Sequence, residues 1–545
     1  MGVVVEHSSQ SVPPVSLGSP LATEPRPEQK RRRSLVLPGV TGLIVVSFLL
    51  GAQRLRTTYW IDEGLTVGIA SHRIWSIPGT LVNDGSPPLY YVLLACWTRL
   101  FGTSEVATHS LSLLFALAVV PVSFWAADRL FDRRAAWFTA SFAALSPFLT
   151  YFAGETRMYS LVVLESVVVC VAFSNAFIKR TPRGPWLFMA SLTALLYTHY
   201  WALYAAVGAA IALALLARFS PHRTSLLRPA LIGFGGAALC FIPWLPIFFG
   251  QLGSTGAPWS HTPTLRGMLS DLAALVRDER VLVALVLAVG LGVSTVVRRA
   301  GRSWRRAASD LEIQELVAIA LVFVTPVVIG WTLSHLQPSW ATRYLAVTVG
   351  PMILVIGLGL SRARGIGVAA LAVAALLVVQ PFTRISPGVR ISATSKSNAS
   401  AIADKLRPDL RPGSLVLVNQ PEAVPLFALY LGDGFRYADP RGVVGDPNVM
   451  DWRDAQAELD AAAVPGALDS TLASLQPGDQ VLLVTSAALV KDTDTDWIER
   501  FRALGRTWQQ FLTHRPCLTA VEQAVPPHAE DTSDYPFRAT LFECR

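Results

Sequence analysis

TTYWIDEGLT, residues 57–66, places two adjacent carboxylates, Asp62 and Glu63, directly after an apolar run. That run, residues 35–53, has nearly the length of roughly 20 apolar residues that a membrane helix needs. An acidic pair so close to the end of a membrane helix lies at a membrane surface. It is either the first turn of a second, interfacial helix, where the helix dipole favours carboxylates, or part of a site.

The composition of the whole chain predicts a polytopic α-helical membrane protein. Of the 545 residues 52% are hydrophobic, and the mean hydropathy is +0.43, which is unusual for a soluble protein. Apolar runs near the length of a membrane helix recur along the chain and predict about eleven transmembrane helices. These runs are residues 35–53, 107–127, 135–152, 158–178, 185–198, 201–217, 229–249, 281–297, 314–332, 343–360 and 365–380.

The distribution of basic residues predicts the orientation of these helices. The head of the chain, residues 1–34, is rich in Ser, Pro and Glu, which predicts a disordered cytoplasmic tail that ends in the basic cluster Lys30–Arg33. The remaining basic loops fall on the cytoplasmic side, as the positive-inside rule requires, only if residues 86–101 do not cross the membrane. Residues 54–106 then form the first outer loop. These basic loops account for the formal charge of +8, so no nucleic-acid partner is predicted.

The chain changes character after the last apolar run. Residues 35–382 constitute the predicted transmembrane domain, whereas residues 383–545 are polar and rich in turns. Strand-like and helix-like segments alternate there, which predicts a small extracytoplasmic α/β domain. Its cysteines, Cys517 and Cys544, would lie on the oxidising side of the membrane, which predicts a disulfide between them. The alternating segments are SLVLV (414–418), VPLFALYL (424–431), QVLLVTS (480–486) and DWIERFRALGRTWQQF (496–511).

Further candidate residues follow along the predicted outer face. Asp84 precedes a Pro-Pro entry into an apolar helix, where a plain turn with a cap is the competing interpretation. Glu155 and Arg157 occupy a very short connection between two spans, and ionisable residues at membrane depth are functional candidates by default. His199 occupies another outer connection. Arg343 opens a span at the outer end, against the positive-inside trend, which favours binding of an anion such as a lipid phosphate.

Five motifs in this order carry a family resemblance: W-I-D-E-G, S-P-P-L-Y-Y, E-T-R-M-Y-S-L, T-H-Y-W-A-L and R-Y-L. The series, which covers about residues 55–360, resembles the membrane glycosyltransferases of the GT-C fold. More narrowly, it resembles the bacterial group of family 39, the protein mannosyltransferase-like and aminoarabinose-transferase-like enzymes. The resemblance implies a reaction at the outer face of the membrane. A sugar passes from a polyprenyl phosphate to a hydroxyl of an envelope glycan, lipid or protein, usually with inversion.

The resemblance also implies a role for each matching residue. Asp62 matches the acid of the first outer loop and would be the general base, with Glu63 beside it in the catalytic pair to orient Asp62 or the acceptor. Arg157 and Arg343 would supply positive charge to the leaving phosphate. The other residues expected to bind donor or substrate are Asp84, Glu155, Tyr159, His199 and Tyr344.

No cofactor is expected from the sequence. Glu155 matches a second outer acid that binds a metal in some relatives, but here the chain continues Glu-Thr-Arg without a further acid. The spacing of Cys and His residues does not indicate a zinc site either. The expected partners are therefore the lipid-linked donor, the envelope acceptor and the bilayer.

A lipid-linked sugar flippase or exporter is the alternative function. It would also have many spans, basic inner loops and outer arginines, but it would need a polar path across the membrane, preferably between repeated halves. Glu165 is the main ionisable residue inside a predicted span, and the sequence has no visible internal repeat. The abundance of Arg over Lys and of Ala and Val suggests a GC-rich bacterial genome, and hence a bacterial plasma membrane.

Overall fold

The structure, a computed structural model, describes Gly2 and residues 36–220, 223–299, 310–384, 395–488, 494–524 and 535–545. Side chains are described for these residues except 379–384. The predicted cytoplasmic tail, residues 1–34 with its basic cluster, lies outside the described residues apart from Gly2.

Helices make up the first and larger part of the described chain, joined by shorter helical turns. They are α1 Val36–Gly51, α2 Ile61–Ser71, α3 Leu89–Phe101, α4 Glu105–Leu130, α5 Arg133–Ala144, α6 Pro147–Phe152, α7 Tyr159–Phe173, α8 Gly184–Thr198, α9 Ala202–Phe219, α10 Leu245–Ser254, α11 Leu265–Leu275, α12 Glu279–Arg299, α13 Leu311–Leu333, α14 Ala346–Arg362 and α15 Gly365–Arg384.

Eight helical stretches in the described residues are long and apolar enough to cross a membrane, which agrees with a polytopic membrane protein. The other three predicted spans, residues 135–152, 185–198 and 365–380, coincide with α5 and α6, α8 and α15, which are not among the eight. The eight stretches are Val36–Arg54, Glu105–Leu130, Tyr159–Ile178, Ala202–Phe219, Arg223–Ser254, Glu279–Arg299, Leu311–Leu333 and Thr342–Arg362.

The helix α3 is too short to span a bilayer. Its 13 residues rise about 20 Å at 1.5 Å per residue, which is less than the roughly 30 Å of a hydrocarbon core. Residues 86–101 therefore have the length expected of a segment that stays on one side of the membrane.

The stretch Thr342–Arg362, which contains α14, lies at the centre of the helix bundle, with 89% of its apolar window buried. Glycines allow the neighbouring helices to approach it closely, as small residues do in membrane bundles. A Cβ at Gly350 would clash with Ser166 Oγ, and one at Gly357 would clash with Thr139 Oγ1. This packing fixes α14, and with it the short turn Thr342–Leu345 that precedes the helix.

The far end of α14 is tied by ion pairs. Arg362 lies 2.6 Å from Asp132, which caps α5, and 2.6 Å from Glu312 in the first turn of α13. A second pair, Lys179 with the buried Glu315, lies 2.9 Å apart. These charges mark one end of the bundle, so Arg343 stands at the opposite end of the central helix.

The second part of the described chain is an α/β domain built on one six-stranded sheet. Its strand order is β3-β2-β1-β4-β6-β5, with β1 parallel to β2 and β4, and β6 antiparallel to β4 and β5. The elements are α16 Ala399–Leu406, β1 Leu415–Val418, α17 Val424–Leu431, β2 Arg436–Asp439, β3 Gly442–Val443, α18 Ala455–Ala461, β4 Gln480–Ser486, α19 Asp496–His514, β5 Leu518–Ala524 and β6 Phe537–Cys544.

The four segments predicted in this domain are confirmed. β1 and β4 are fully or largely buried apolar runs at the centre of the sheet, whereas α19 is amphipathic and buries Trp497 and Trp508 completely. The remaining strands β2, β3, β5 and β6 were not predicted from the sequence. β5 alternates between exposed and buried positions only weakly, because it is an edge strand.

The disulfide predicted between Cys517 and Cys544 is absent from the structure, in which both residues are free thiols. The sheet nevertheless brings them close together. Cys544 pairs with Leu518 in the register of β5 and β6, and the amide of Arg545 donates a 2.8 Å hydrogen bond to the carbonyl of Cys517.

The helix α2 packs against the α/β domain through two glycines one turn apart. A Cβ at Gly64 would lie 2.6 Å from the Cα of Leu426 in α17, and one at Gly68 would clash with the carbonyl of Asn448. Close approach of two backbones requires residues without side chains at these positions. The helix that carries Asp62 and Glu63 is therefore held against the C-terminal domain.

Candidate active site

The first turn of α2 carries the acidic pair. Trp60 is extended, with φ −113° and ψ −178°, and Glu63 Oε2 accepts a 3.3 Å hydrogen bond from the Trp60 amide, so the helix begins at Ile61. Carboxylates in a first helical turn are favoured by the helix dipole. The two side chains nevertheless differ in environment, because the Asp62 side chain is 22% exposed and that of Glu63 is fully buried.

Asp62 faces two arginines that are far from it in the sequence. Its Oδ2 lies 3.6 Å from Arg343 Nη2 and 4.0 Å from Arg157 Nη2. Arg157 is further fixed through Nη1, which donates to Thr66 Oγ1 at 2.7 Å and to the carbonyl of Asp62 at 3.4 Å. The carboxylate of Asp62 and the two guanidinium groups thus lie together at the N-terminal end of α2.

Aromatic rings surround the guanidinium group of Arg343. Its Cζ lies 4.6 Å from the ring centroid of Trp259, 5.4 Å from that of Tyr344 and 5.7 Å from that of Trp60. Cation–π contacts of this length stabilise a partly desolvated arginine and restrict its orientation. The arginine is therefore positioned before any ligand binds.

Buried rings form the neighbouring wall. The His199 ring lies 5.2 Å from Tyr344 and 6.2 Å from Tyr159, and its Nδ1 accepts a hydrogen bond from the Trp201 amide at 3.2 Å. Burial, followed by the charges of Arg157 and Arg343, lowers the pKa of His199 to about 3. His199 is therefore neutral at physiological pH and adds no charge to the site.

Asp84 reaches the same region from the loop before α3. It is buried, and its Oδ2 accepts a 3.2 Å hydrogen bond from the hydroxyl of Tyr91. Burial raises the pKa of Asp84, and the positive charge of Arg157 only partly opposes this shift. The residue therefore lies within electrostatic reach of Arg157.

Glu63 is the centre of a buried ion cluster. Its two oxygens accept hydrogen bonds from Lys396 Nζ at 2.8 Å each, and Oε1 also accepts from the Thr156 amide at 2.7 Å. His109 Nε2 lies 2.8 Å from Oε1. Burial alone would raise the pKa of Glu63, but Lys396 and His109 outweigh it and hold the pKa below its usual value. Glu63 is therefore an ionised carboxylate with every lone pair engaged.

Glu155 lies beside this cluster in the connection between α6 and α7. It is almost completely buried, and its Oε2 has no hydrogen-bond partner within the protein. Burial and the nearby charge of Glu63 raise the pKa of Glu155 to about 7, although Lys396 opposes the shift. Near neutral pH the residue can act as either a hydrogen-bond donor or an acceptor.

Several buried donor atoms around Asp62 have no partner within the protein. They are Arg157 Nε, Arg343 Nε, the hydroxyl of Tyr159 and Trp60 Nε1. Buried polar groups are almost always hydrogen-bonded, so a cluster of unpaired donors needs an explanation. Two cations and several free N–H and O–H groups are chemically suited to an oxyanion such as a phosphate.

The structure brings all nine candidate residues from the sequence into one region. Asp62, Arg157 and Arg343 form its charged centre, with Asp84, Tyr159, His199 and Tyr344 around it, whereas Glu63 and Glu155 lie beside Lys396. Their spacing along the chain, from Asp62 to Tyr344, spans almost the whole helical part. The five motifs, which are far apart in the sequence, thus contribute residues to one region of the structure.

Sequence reasoning missed several residues of this region. Lys396 lies in a polar segment with no periodicity or motif, and His109 lies inside a predicted span. Trp60 and Trp259 can only be read as interface aromatics from the sequence. For His109 a signal existed, since an ionisable residue in an apolar run is a functional candidate.

Two further features lie outside this centre. Within the described ranges, no group of three or more His, Cys, Asp or Glu side chains could hold a metal ion. A cavity of about 730 Å³ opens between the loop after α2 and the C-terminal domain, lined by residues that include His72, Trp75, Arg441 and Asp446. This cavity lies at the opposite end of α2 from Asp62, about 15 Å along the helix.

Comparison with a known protein family gives a partial match. The family described as dolichyl-phosphate-mannose-protein mannosyltransferase matches residues 85–247, less than one third of the chain. The matched part begins directly after Asp84 and includes Glu155, Arg157 and His199. No curated protein matches the sequence significantly.

Solved structures match over nearly the whole chain. ArnT from Cupriavidus metallidurans in the apo state aligns with a TM-score of 0.61 and 13% identity, over 94% of this chain and 98% of that one. AglB from Archaeoglobus fulgidus, in complex with an inhibitory peptide and a dolichol-phosphate, gives 0.54 and 10%, over 83% and 69%. The arabinofuranosyltransferase AftD from Mycobacteria gives 0.53 and 16%, over 94% of this chain and 40% of AftD.

These likenesses define the class of fold. The chain is a polytopic membrane protein of the GT-C fold with a C-terminal α/β domain, which confirms the predicted fold class and the resemblance to GT-C glycosyltransferases. At 10–16% identity, the structural likeness establishes the fold and leaves the activity to the chemistry of the site.

Proposed function

We propose that the protein transfers a sugar from a polyprenyl-phosphate-linked donor to a hydroxyl of an envelope glycan, lipid or protein at the outer face of the membrane. One observation carries this proposal. The carboxylate of Asp62 lies 3.6 and 4.0 Å from the guanidinium groups of Arg343 and Arg157. A base and an anion-binding pair are the two elements that such a transfer requires.

The reaction follows from these groups. Asp62 accepts the proton of the acceptor hydroxyl while the hydroxyl oxygen forms a bond to the anomeric carbon of the donor. The bond between that carbon and the phosphate oxygen breaks, and its electron pair leaves with the polyprenyl phosphate. A single displacement of this kind inverts the anomeric carbon. Arg157 and Arg343 stabilise the charge that develops on the leaving phosphate.

The geometry of the ion pairs also suggests how the base could become available. The carboxylate of Asp62 lies between the guanidinium groups of Arg157 and Arg343. The donor phosphate is an anion that would bind the same guanidinium groups, so donor binding would compete with Asp62 for them. The carboxylate would then be free to accept a hydrogen bond from the acceptor hydroxyl.

The other candidate residues support this centre. We assign Tyr159, His199 and Tyr344 to the wall that contacts the donor, since their rings lie around Arg343 and Arg157. Asp84 and Glu155 are assigned to binding of substrate hydroxyl groups. Glu63 is assigned to orienting Asp62, because all its hydrogen bonds go to the protein itself.

The comparisons support the class of donor. One ArnT structure contains undecaprenyl phosphate, and it aligns with this chain at a TM-score of 0.55 and 14% identity over 93% of the chain. The AglB structure contains a dolichol-phosphate, and the matching family is described by a dolichyl-phosphate sugar. A lipid phosphate is thus present in two structures that share this fold, and the arginine pair is chemically suited to bind such a group here.

The proposed location and orientation of the protein follow from its sequence. We place the protein in a bacterial plasma membrane, with residues 1–34 in the cytoplasm and residues 35–382 as the catalytic transmembrane domain with its first outer loop 54–106. The C-terminal domain, residues 383–545, is placed outside. The orientation rests on the basic inner loops of the sequence, and the bacterial membrane rests on the abundance of Arg over Lys and of Ala and Val.

The role of Asp62 is tested by comparing two neighbouring substitutions. Asp62→Asn keeps the shape and removes the basicity, so turnover should fall by ~10²–10⁴-fold while donor binding persists. Glu63→Gln, the matched neighbour, should lower turnover less if it only orients Asp62. Steady-state transfer and donor binding are measured on folded protein in both cases. Transfer by Asp62→Asn at nearly the wild-type rate would remove Asp62 as the base.

A further inference from the structure

We propose that Lys396, at the entry to the C-terminal domain, is a positioning residue of the active site. It holds Glu63, and through Glu63 it fixes the first turn of α2, which carries Asp62. The proposal rests on the proposed function, because it assigns to the C-terminal domain a part in placing the base of that reaction. Neither the sequence motifs nor the fold assigns this domain a role.

The contacts of Lys396 are those of a fixed, buried cation. Its Nζ donates to both oxygens of Glu63 at 2.8 Å and to the carbonyl of Gly154 at 2.7 Å, and the residue is only 4% exposed. All three ammonium hydrogens thus have acceptors. The side chain joins the C-terminal domain to α2 and to the connection that carries Glu155 and Arg157.

Loss of Lys396 would leave the buried charge of Glu63 without its main counter-ion. A buried ion pair gives little stability compared with an apolar pair, but loss of one partner leaves an uncompensated buried charge. Without Lys396, the fully buried Glu63 would keep only His109 Nε2 and the amides of Trp60 and Thr156 as partners. The first turn of α2 would then rearrange or Glu63 would take up a proton.

The backbone beside Lys396 is also joined to the segment before α2. The amide of Lys396 donates to Thr58 Oγ1 at 3.1 Å, and Thr58 Oγ1 donates to the carbonyl of Ser397 at 2.9 Å. Ser397 Oγ donates to the carbonyl of Tyr59 at 2.5 Å. Residues 396–397 thus run along residues 58–59, directly before the turn that carries Asp62.

Tyr535, which lies two residues before β6, contacts both Lys396 and Trp60. The Tyr535 amide donates to the carbonyl of Lys396 at 3.1 Å, and the Tyr535 ring stacks on Trp60 with centroids 5.1 Å apart at 26°. Trp60 in turn contacts Arg343. With Gly64 packed against α17, the domain contacts α2 on both sides of Asp62. The first turn of α2, which carries the proposed base, is therefore held in place by this domain.

The test compares Lys396→Met, which keeps length and removes charge, with Lys396→Arg, which keeps charge. Lys405→Met is the matched control, since Lys405 belongs to the same domain and pairs with Glu522 at the surface. Lys396→Met should lower kcat roughly 10- to 100-fold, as small misplacements of catalytic groups do, with an unchanged Kd for polyprenyl phosphate. Lys396→Arg should recover part of kcat, and Lys405→Met should match the wild type.

Amide hydrogen exchange supplies a readout that does not need activity. Lys396→Met should lose protection in residues 57–66, and Lys405→Met should not. The proposal is overturned if this segment keeps its protection, or if it loosens while kcat stays unchanged. A double variant with Glu63→Gln addresses misfolding, since removing both charges should cost no more activity than Glu63→Gln alone. If the wild type transfers no sugar, the proposed function fails, and the exchange data alone decide whether Lys396 holds the segment.

Discussion

Asp62 and Glu63 are adjacent in sequence but have different environments. Successive residues of a helix point about 100° apart, so Asp62 turns toward the arginine pair and Glu63 toward Lys396. One carboxylate is partly exposed and loosely paired, and the other is buried with five hydrogen bonds. The acidic pair therefore combines a partly exposed carboxylate beside two arginines with a buried carboxylate that the protein holds in place.

Donor binding should depend on Arg343. Arg343→Ala removes a charge-assisted partner of the phosphate worth about 1.5–3 kcal/mol, so the Kd for polyprenyl phosphate should rise roughly 10- to 100-fold. Arg343→Lys should restore it only in part, because an ammonium group lacks the planar fork of arginine. Binding is measured in nanodiscs, with the exposed Arg266→Ala as control. An unchanged Kd in Arg343→Ala would contradict the assignment.

Glu155 should make stability depend on pH in a defined direction. Its pKa is raised from 4.5 to about 7 in the folded protein, so its contribution is complete below about pH 4.5 and is lost as the pH rises through about 7. Glu155→Gln stays neutral and lacks this loss. The Tm of the variant relative to wild type should therefore rise from about pH 5 to about pH 7.5. Glu499→Gln, at an exposed position, is the control. An equal trend in both variants would refute the raised pKa of Glu155.

At the scale of elements, local pattern was sufficient for some parts and not for others. α17, β1 and β4 were predicted within a residue of their observed bounds, because each is a short, mostly buried apolar run between polar or turn-forming segments. β6 lies between β4 and β5 in the sheet, and its pairing with β4 joins segments that are far apart in the sequence, which local pattern does not encode. The contact of Lys396 with Glu63 joins residues 333 positions apart, so no periodicity or spacing could indicate it.

The packing of α2 on α17 gives a prediction for one element. Gly64→Val would push side-chain atoms into the backbone of Leu426 and should cost about 1–3 kcal/mol, as overpacking does. Turnover should fall with stability, because the first turn of α2 would move. Gly79→Ala is the control, since a Cβ there meets nothing within 4 Å. Tm and transfer rate are measured on both, and a fully stable, active Gly64→Val would contradict the observed contact.

The whole molecule combines a membrane domain of the GT-C fold with an α/β domain that contacts the candidate active site. Composition and run lengths predict the first, and the ordered motifs predict which residues converge at the site. The role of the second domain could not be predicted, because its contacts with the site come from Lys396 and Tyr535, which belong to no motif. These contacts require α2, which carries Asp62, and the C-terminal domain to lie on the same side of the membrane.

The orientation can be measured directly. In a background with all five cysteines replaced by alanine, a cysteine at the exposed Ser470 should react with a membrane-impermeant thiol reagent in intact cells. A cysteine at the exposed Arg183, in a predicted inner loop, should react only after lysis. Labelling of Ser470→Cys only after lysis would reverse the topology and place Asp62 on the cytoplasmic side.

Sugar transfer by the purified protein in detergent tests the central claim most directly, because transport across a bilayer has no meaning there. The protein is incubated with a panel of polyprenyl-phosphate sugars and envelope acceptors, and free polyprenyl phosphate and glycosylated acceptor are quantified together. The account predicts that the two products form in equal amounts and that Asp62→Asn slows both. Absence of product with every donor, together with movement of a lipid-linked sugar across proteoliposomes, would contradict it and establish an exporter instead.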